Sequence, residues 1–411
     1  MTNASVVRER LYSAKNDEHK FPVNYVYDYL GRCTGFLSLP NLNLNEHLQS
    51  KRFLRMGKFS SQKNVERSDH GIDLLPLAAQ LPWATGIRSC RQSKYWELCL
   101  DTTRTLLEHF AADPSAAKVF RSGVSLAEMS RQELGKKMED GWVKFAPYFF
   151  SDSDPKRMRI LAVLMVFIFI FDEFWEMHDA SSFNIVYEQF IVRMKSGFTP
   201  PVEDRTPLLL LIDQIMAEIK ELDNASGHLA GRLMLDEMVA FFSRPPPSKA
   251  YENMEDFLLY RHKDAAIDFV LACTAFSLDF PIDIRSPKLA RYYRLVKDHV
   301  SIANDLGSWA KEKRAYDRGQ VLYLINTVDA IKNFLRLETE NAAIAMAYAL
   351  QLQVETQIDD EIEYLIAEDS LTDNEWRFID ATLLVLSGNV MASIVMSRYG
   401  GEENRLMKDA S

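Results

Sequence analysis

Apolar residues return at intervals of three or four positions along most of this chain from about residue 95 onward, which is the period of amphipathic α-helices. Pro155, Pro207 and Pro287 mark three helix starts, because proline is well tolerated at the first helical position. Proline-rich stretches at 196–207 and 243–249 cannot lie inside helices and therefore separate them. No alternating pattern is long enough to indicate a substantial strand. The pattern predicts an all-α fold, a single large α-helical bundle of about ten or more helices.

Several stretches set finer expectations. Residues 254–280 are predicted to form one long helix, residues 328–368 two helical blocks, and residues 371–400 the last helix. The longest apolar run, Ile160–Phe171, has 12 residues, whereas a membrane span needs roughly 20. We therefore expect a buried helix there and no transmembrane segment.

Residues 1–75 differ from the rest of the chain, since they are polar, carry several cations and lack helical periodicity. They begin without the apolar core of a signal peptide. We interpret them as a partly ordered N-terminal extension, followed by a helical domain over residues 76–411. A solvated basic segment is the simpler interpretation, and an arm that folds over a site when ligand binds is the alternative.

Composition narrows the class of partner. The chain has 411 residues, 47% of them hydrophobic, so it can bury a large core. Its net charge of −10 argues against nucleic acid as the main partner, but not against a phosphorylated small molecule held by a few local cations or metals. The four cysteines, Cys33, Cys90, Cys99 and Cys273, match no zinc or redox spacing. We read them as reduced thiols and expect a cytoplasmic protein, a monomer or homodimer.

A cluster of acids ends the most apolar helix. In "FDEFWEMHD", Asp172 and Glu176 are four residues apart and share one helical face, with Glu173 beside them. The same face is apolar for the preceding turns, through Met165 and Phe169. Carboxylate oxygens suit Mg²⁺, which proteins usually hold with one or two carboxylates plus substrate phosphates. Considered alone, however, this segment is more simply a helix end that emerges into water.

A second cluster of polar residues favours a metal site over a solvated helix end. In "NDLGSWAKE", Asn304, Ser308 and Glu312 follow each other at intervals of four and drift only about 40° per step along one helical face. Their amide, hydroxyl and carboxylate oxygens form a tridentate set for one Mg²⁺. Asp305 and Lys311 flank the set. A polar outer helix face is the remaining alternative.

These residues resemble the metal-binding motifs of class I terpene synthases, all-helical enzymes that ionise a prenyl diphosphate and cyclise the carbocation. "NDLGSWAKE" is similar to their NDxxSxxKE motif, and "DEFWE" is similar to their aspartate-rich motif in variant form. Asp172, the first residue of "DEFWE", precedes Asn304 by 132 residues. The family also carries a diphosphate-sensing arginine, a linker acid and a small residue at a helix break, and "RHKDA" supplies Arg261, Asp264 and Ala265 in that pattern.

The end of the chain resembles the family less closely. Arg398 and Tyr399 stand where the family has an arginine–tyrosine pair, but Ala392 replaces the usual tryptophan. That change implies a more open mouth of the site or different packing. Glu173 and Glu176 likewise replace aspartates, which leaves open whether they bind metal directly.

The resemblance assigns roles to individual residues. It implies three Mg²⁺ ions, with Mn²⁺ as a substitute, and gives metal-binding roles to Asp172, Glu173, Glu176, Asn304, Ser308 and Glu312. Donation to the diphosphate is implied for Arg261, Lys311, Arg398 and Tyr399. Roles in substrate binding and in the wall of the site are expected for Met165, Phe169, Asp264, Ala265 and Trp309, with Trp83, Phe276 and Phe280 as further aromatic candidates. For each of the apolar and aromatic wall candidates, considered alone, an ordinary core position is the simpler interpretation.

The pattern is most similar to fungal sesquiterpene cyclases. It implies an enzyme that ionises farnesyl diphosphate, cyclises it to a hydrocarbon or alcohol, and releases diphosphate. A prenyl-diphosphate synthase or a diterpene cyclase on the same fold is an alternative, although the Asn–Ser–Glu set in place of a second aspartate-rich motif favours cyclisation. A non-catalytic helical binding protein is the third interpretation.

Overall fold

The structure of this protein is a computed structural model that describes residues 67–74, 76, 83–87, 90–121, 123–135, 138, 141–175, 180–199, 205–248, 250–396 and 399, without the side chains of residues 121, 173–175 and 180–183. The predictions for residues 1–66 lie outside these residues. Thirteen α-helices fall within the described part: α1 Trp96–Ala112, α2 Leu126–Leu134, α3 Phe145–Phe149, α4 Pro155–Trp175, α5 Ala180–Gln189, α6 Pro207–Ser226, α7 Ala230–Phe242, α8 Met254–Asp264, α9 Ile267–Leu278, α10 Ala290–Asp317, α11 Thr327–Phe334, α12 Glu340–Glu368 and α13 Asp373–Val395.

Side chains cap two of the helix starts that the prolines predict. The Asp154 side chain accepts hydrogen bonds from the backbone N–H groups of residues 156 and 157 at the start of α4. The Thr206 hydroxyl accepts one from the backbone N–H of Leu209 at the start of α6. α10 begins after a short 3-10 turn at Pro287–Leu289. The contacts of Asp154 and Thr206 satisfy N–H groups that a helix end leaves unpaired. The predicted starts at Pro155 and Pro207 are confirmed, whereas the α-helix predicted from Pro287 begins three residues later, at Ala290.

Two short antiparallel hairpins accompany the helices. β1 (Gly71–Leu74) pairs with β2 (Cys90–Ser93), and β3 (Phe120–Arg121) pairs with β4 (Val124–Ser125). The sequence pattern did not indicate them, because strands of four and two residues are too short to display alternation.

Residues 67–74, assigned on sequence to the extension, contact the helical domain. Besides the pairing of β1 with β2, Arg67 donates from Nε and Nη2 to the two carboxylate oxygens of Asp380 on α13, both at 2.8 Å. Arg91 on β2 forms an ion pair with Asp152 and donates from Nη2 to the carbonyl of Gly71 at 3.0 Å. This part of the chain is thus attached to the bundle by backbone pairing and by two arginines.

Three apolar helices form the centre of the bundle. α13 is buried without interruption from Phe378 to Val395, α9 is almost wholly buried, and the apolar run Ile160–Phe171 of α4 is buried apart from a partly exposed Phe169. Among the described residues, α13 alone has the length and composition of a membrane span, and its whole 18-residue apolar window is buried inside the fold.

One predicted helix is two helices. The expectation of a single helix over residues 254–280 is wrong, because α8 ends at Asp264 and α9 begins at Ile267. Between them, Ala266 is buried and has φ 54° and ψ 32°, in the left-handed region. A side chain with a Cβ costs roughly 1–2 kcal/mol in that conformation, so local propensity does not explain the break and tertiary packing must hold it. The two helical blocks predicted over residues 328–368 are present as α11 and α12.

Two glycines allow close helix contacts beside the candidate site. A Cβ at Gly388 of α13 would lie 2.3 Å from the carbonyl oxygen of Tyr148 on α3. A Cβ at Gly307 of α10 would lie 2.5 Å from Oγ of Ser393 on α13. The neighbouring Asn389 donates from Nδ2 to the carbonyl of Val300 on α10 at 3.1 Å. The glycine–asparagine pair and the glycine of "NDLGS" therefore have packing roles that fix α13 against α3 and α10.

A buried carboxylate joins the segment before β2 to the core. Glu355 of α12 accepts hydrogen bonds from Thr85 Oγ1 at 2.6 Å, from the backbone N–H of Gly86 at 2.8 Å and from Gln351 Nε2 at 3.1 Å, and His299 Nε2 lies 3.0 Å away. Burial by itself raises the pKa of Glu355, but the contacts with His299, Thr85 and Gly86 outweigh it, so that the pKa lies below its usual value of 4.5. The anion is the form that this network stabilises.

We expect Glu355→Gln to lower the free energy of unfolding at pH 7 by about 1–3 kcal/mol, because the amide leaves a buried donor without its partner. Since the carboxyl pKa is lower in the folded state than in the unfolded chain, its contribution is complete above about pH 4.5 and is lost as the pH falls through the folded value. Urea unfolding at several pH values measures both effects. The exposed Glu368→Gln on the same helix is the control, and a pH profile that Glu355→Gln leaves unchanged would contradict the prediction.

Candidate active site

The predicted diphosphate and metal residues gather where four elements meet: the end of α4, the end of α8, the middle of α10 and the start of α11. α10 supplies the Asn–Ser–Glu set, with Asn304 and Glu312 partly exposed and Ser308 buried. Asn304 Nδ2 lies 3.4 Å from Oη of Tyr399, beyond the end of α13. Tyr399, a predicted diphosphate donor, thus lies beside Asn304, a predicted metal ligand.

Arg261 is at the centre of this region. Its guanidinium donates to Asp305 Oδ1 from Nε at 2.9 Å and from Nη2 at 2.7 Å, and to Asp264 Oδ2 from Nη1 at 2.8 Å. Nη2 also lies 3.3 Å from Oδ1 of Asn304. Burial by itself lowers the pKa of Arg261, but Asp305 and Asp264 more than offset it and raise the pKa well above its usual value. The side chain is therefore a fixed cation beside Asn304.

Asp305 is the buried carboxylate that binds the Arg261 guanidinium. It is fully buried, and its Oδ2 accepts from the backbone N–H and the hydroxyl of Thr327, both at 2.7 Å. Burial raises the pKa of Asp305 to about 6, even though Arg261 and Thr327 favour the anion. Asn326, the N-cap of α11, donates from Nδ2 to the carbonyl of Asp305 and to Glu312 Oε2, both at 2.9 Å. The start of α11 thereby orients the Asn–Ser–Glu helix.

Asp172 approaches the same region from α4. Its Oδ1 accepts from Nη2 of Arg244 at 2.5 Å, and Nε of Arg244 lies 3.2 Å from Oδ1 of Asp264. Burial raises the pKa of Asp172 from its usual value, and the adjacent Arg244 opposes that shift. The two predicted metal motifs are therefore connected through Arg244, Asp264 and Arg261.

Aromatic rings lie beside this polar region. Phe169, one turn before Asp172, packs 4.5 Å from the ring centroid of Phe145 and is stacked with Trp142 at 6.4 Å. Tyr399 makes an edge contact with Phe145 at 6.0 Å. The predicted wall residue Phe169 thus belongs to an aromatic cluster that also includes two residues from the segment before and within α3.

For the remaining predicted site residues, the structure gives a place in a helix and a degree of burial. Met165 and Trp309 are buried core residues of α4 and α10, Lys311 is partly exposed on α10, and Ala265 caps α8 at the helix break. Glu176 and Arg398 lie outside the described residues, as does the side chain of Glu173.

The three further aromatic candidates have structural partners. Trp83 donates from Nε1 to the carbonyl of Ile87 at 2.9 Å. The guanidinium of Arg157 lies 5.6 Å from the ring of Phe276, and that of Arg377 lies 4.9 Å from the ring of Phe280. These contacts are typical of ordinary core positions, the alternative considered for each of them.

Sequence reasoning missed several members of the site. Arg244 lies in a stretch that was used only to mark a helix boundary, and a single arginine before three prolines carries no specific signal. Asn326 and Thr327 do have one, since asparagine before "TVDAI" is a typical N-cap. Trp142 and Phe145 belong to short helical turns that show no clear periodicity.

The donor chemistry of α10 fits a hard divalent cation. Asn304, Ser308 and Glu312 offer three oxygen donors on one helical face, and within the described part of the chain the Ser308 hydroxyl makes one long hydrogen bond, at 3.5 Å to the carbonyl of Asp305. Among the residues whose side chains are described, no three His, Cys, Asp or Glu side chains form a metal-binding group by themselves. A cation here would therefore rely on the amide and hydroxyl oxygens as well as on carboxylates.

Comparison with known proteins agrees with this arrangement. Residues 164–351 match the family described as terpene synthase family 2, C-terminal metal binding. Terpene cyclase 6 from Gibberella fujikuroi is 22% identical over 341 residues, 82% of this chain and 87% of its own length. Terpene cyclase aneC from Aspergillus aculeatus is 24% identical over 352 residues, 84% of this chain and 77% of its own.

Solved structures share the fold. Linalool/nerolidol synthase from Streptomyces clavuligerus, in complex with 2-fluorogeranyl diphosphate, matches with a TM-score of 0.52 at 15% identity, covering 72% of this chain and 98% of its own. The predicted resemblance and the all-α fold class are thereby confirmed.

Proposed function

We propose that this chain, whose residues 164–351 match the terpene synthase family 2 C-terminal metal-binding domain, is a Mg²⁺-dependent sesquiterpene cyclase. It would ionise farnesyl diphosphate, cyclise the carbocation to a hydrocarbon or alcohol, and release diphosphate. The observation that carries this proposal is the joining of Asp172 and Asn304 by one network of charged side chains, next to an aromatic cluster.

The polar half of the site would bind the diphosphate. Asn304, Ser308, Glu312 and Asp172 are the residues that would hold Mg²⁺, which neutralises charge on the diphosphate oxygens when it is bound. Arg261 is a buried cation whose orientation is set by two carboxylates, so it can favour the departing anion without rearranging. Lys311, Tyr399 and Arg398 are the further donors implied by the resemblance.

The apolar half would hold the hydrocarbon chain. Phe145, Phe169 and Trp142 offer aromatic faces, each of which stabilises a desolvated cation by about 2 kcal/mol. Their close packing also excludes water, which would otherwise capture the cation. Met165 and Trp309 remain predicted wall residues. Preference for the fifteen-carbon substrate rests on the single α-domain of this size, by resemblance to the sesquiterpene cyclases.

The test is incubation of the full chain with Mg²⁺ and geranyl, farnesyl or geranylgeranyl diphosphate in turn, with extracted products identified by gas chromatography. A cyclic sesquiterpene from farnesyl diphosphate supports the proposal. A cyclic product only from geranylgeranyl diphosphate would make the protein a diterpene cyclase. A longer diphosphate formed only when isopentenyl diphosphate is added would make it a prenyl-diphosphate synthase, and no turnover would favour a binding protein. Cytoplasmic location and oligomeric state stay predictions from the sequence.

A further inference from the structure

Arg244 is held in a fixed position at the end of α7. Its guanidinium carbon lies 3.9 Å from the ring centroid of Phe241, and its Nη1 donates to the carbonyl of the same residue at 3.2 Å. Only 2% of its side chain is exposed. Three prolines, residues 245–247, follow directly and restrict the backbone. A long side chain that is normally mobile is thus constrained before any ligand arrives.

The same guanidinium contacts two carboxylates that belong to different predicted motifs. Nη2 donates to Asp172 Oδ1 at 2.5 Å, and Nε donates to Asp264 Oδ1 at 3.2 Å. The other oxygen of Asp264 accepts from Arg261. Asp264 is therefore shared by two arginines, one directed toward α4 and the other toward Asn304.

We propose that Arg244 is a positioning residue that orients the Asp172 carboxylate for Mg²⁺–diphosphate and couples it, through Asp264, to Arg261. The inference rests on the proposed function. A guanidinium donates along fixed directions and can bind two carboxylates at once, which an ammonium group cannot do equally well. By engaging Oδ1 of Asp172, Arg244 fixes the direction of Oδ2, which accepts no hydrogen bond from the described residues. Residues that orient metal ligands in this way typically change metal affinity by about 10- to 100-fold when they are replaced.

The experiment is calorimetric titration of the full chain with inorganic pyrophosphate in excess Mg²⁺. We expect Arg244→Met to weaken binding by about 10- to 100-fold. Arg193→Met is the matched control, because Arg193 is also buried, donates from Nη1 to Asp213 at 2.5 Å and lies 5.4 Å from the ring of Phe198. The control should lose comparable thermal stability and keep wild-type affinity for Mg²⁺–pyrophosphate.

Two further variants separate coupling from simple loss of charge. Arg244→Lys keeps a cation but donates from a single nitrogen and cannot hold both carboxylates in the guanidinium geometry, so it should fold and still bind about tenfold more weakly. Arg244→Met and Asp264→Asn should be strongly non-additive when they are combined, since each interrupts the same connection.

Wild-type affinity in folded Arg244→Met or Arg244→Lys, or additive effects in the double variant, would overturn the inference while leaving the proposed function intact. Failure of the wild-type chain to bind Mg²⁺–pyrophosphate would overturn both.

Discussion

Asn304→Ala is expected to reduce turnover of the prenyl diphosphate substrate by roughly 10²–10³-fold, the usual cost of removing one preorganised group that stabilises developing charge, while the protein stays folded. Asn304 is partly exposed and its two described hydrogen bonds, to Arg261 and Tyr399, are long at 3.3 and 3.4 Å. Their loss should therefore cost little stability. The amide oxygen, in contrast, is one of three donors of the candidate Mg²⁺ site. Product formation by gas chromatography and melting followed by circular dichroism measure the two effects separately.

Asn333→Ala is the matched control for this prediction, because Asn333 lies on the neighbouring α11 and its amide donates only to Asp329 at 2.9 Å among the described contacts. It should leave turnover unchanged. Asn304→Asp, which keeps an oxygen donor at the same place, should recover part of the activity. Full turnover by Asn304→Ala would remove α10 from the metal site and with it the central assignment of the active site.

Asp305→Ala should have the largest effect on stability, with a loss of about 3–5 kcal/mol in the free energy of unfolding. The substitution leaves a buried guanidinium, Arg261, without its main partner, and it also leaves the backbone N–H of Thr327 without an acceptor. Since Asp305 connects α8, α10 and the start of α11, we expect these elements to lose their mutual orientation. Equilibrium unfolding in urea measures the change.

The control for Asp305 is Asp329→Ala. Asp329 is in the first turn of α11 and accepts a single side-chain hydrogen bond, from Asn333 four residues later. Exposed pairs of this kind contribute about 0.2–0.5 kcal/mol. If Asp305→Ala proved no more destabilising than this control, the buried ion pair with Arg261 would not be what orients α10.

The helices of this protein could be predicted well from the sequence, and the reasons lie in local chemistry. Apolar periodicity and the caps at Asp154 and Thr206 are contained in neighbouring residues, so the pattern gave the starts of α4 and α6 correctly. The break at Ala266 could not be derived that way, and only the resemblance to the terpene synthases placed a helix break there, beside Ala265. Nothing in "KDAAID" disfavours a continuous helix, and the left-handed conformation of Ala266 exists because packing of α8 and α9 onto other helices imposes it.

The residues of the candidate site also fall into those that local sequence predicts and those that only tertiary contacts reveal. Asn304, Ser308 and Glu312 could be found because three donors on one helix have a fixed spacing. Arg244 and Phe145 could not, because their importance depends on contacts with Asp172 and Phe169, which lie far away in the sequence. Spacing along one helix is visible in a sequence, whereas the side chain that completes a site from another helix is not.

The two close glycine contacts of α13 bear on how the product of this enzyme could be changed. Gly388 against Tyr148 and Gly307 against Ser393 leave no room for an added methyl group, so these backbones form a frame that tolerates little mutation. The aromatic side chains of Trp142, Phe145 and Phe169 are supported by that frame without being part of it. Laboratory evolution toward new ring systems is therefore expected to accumulate substitutions at these rings and to leave both glycines untouched.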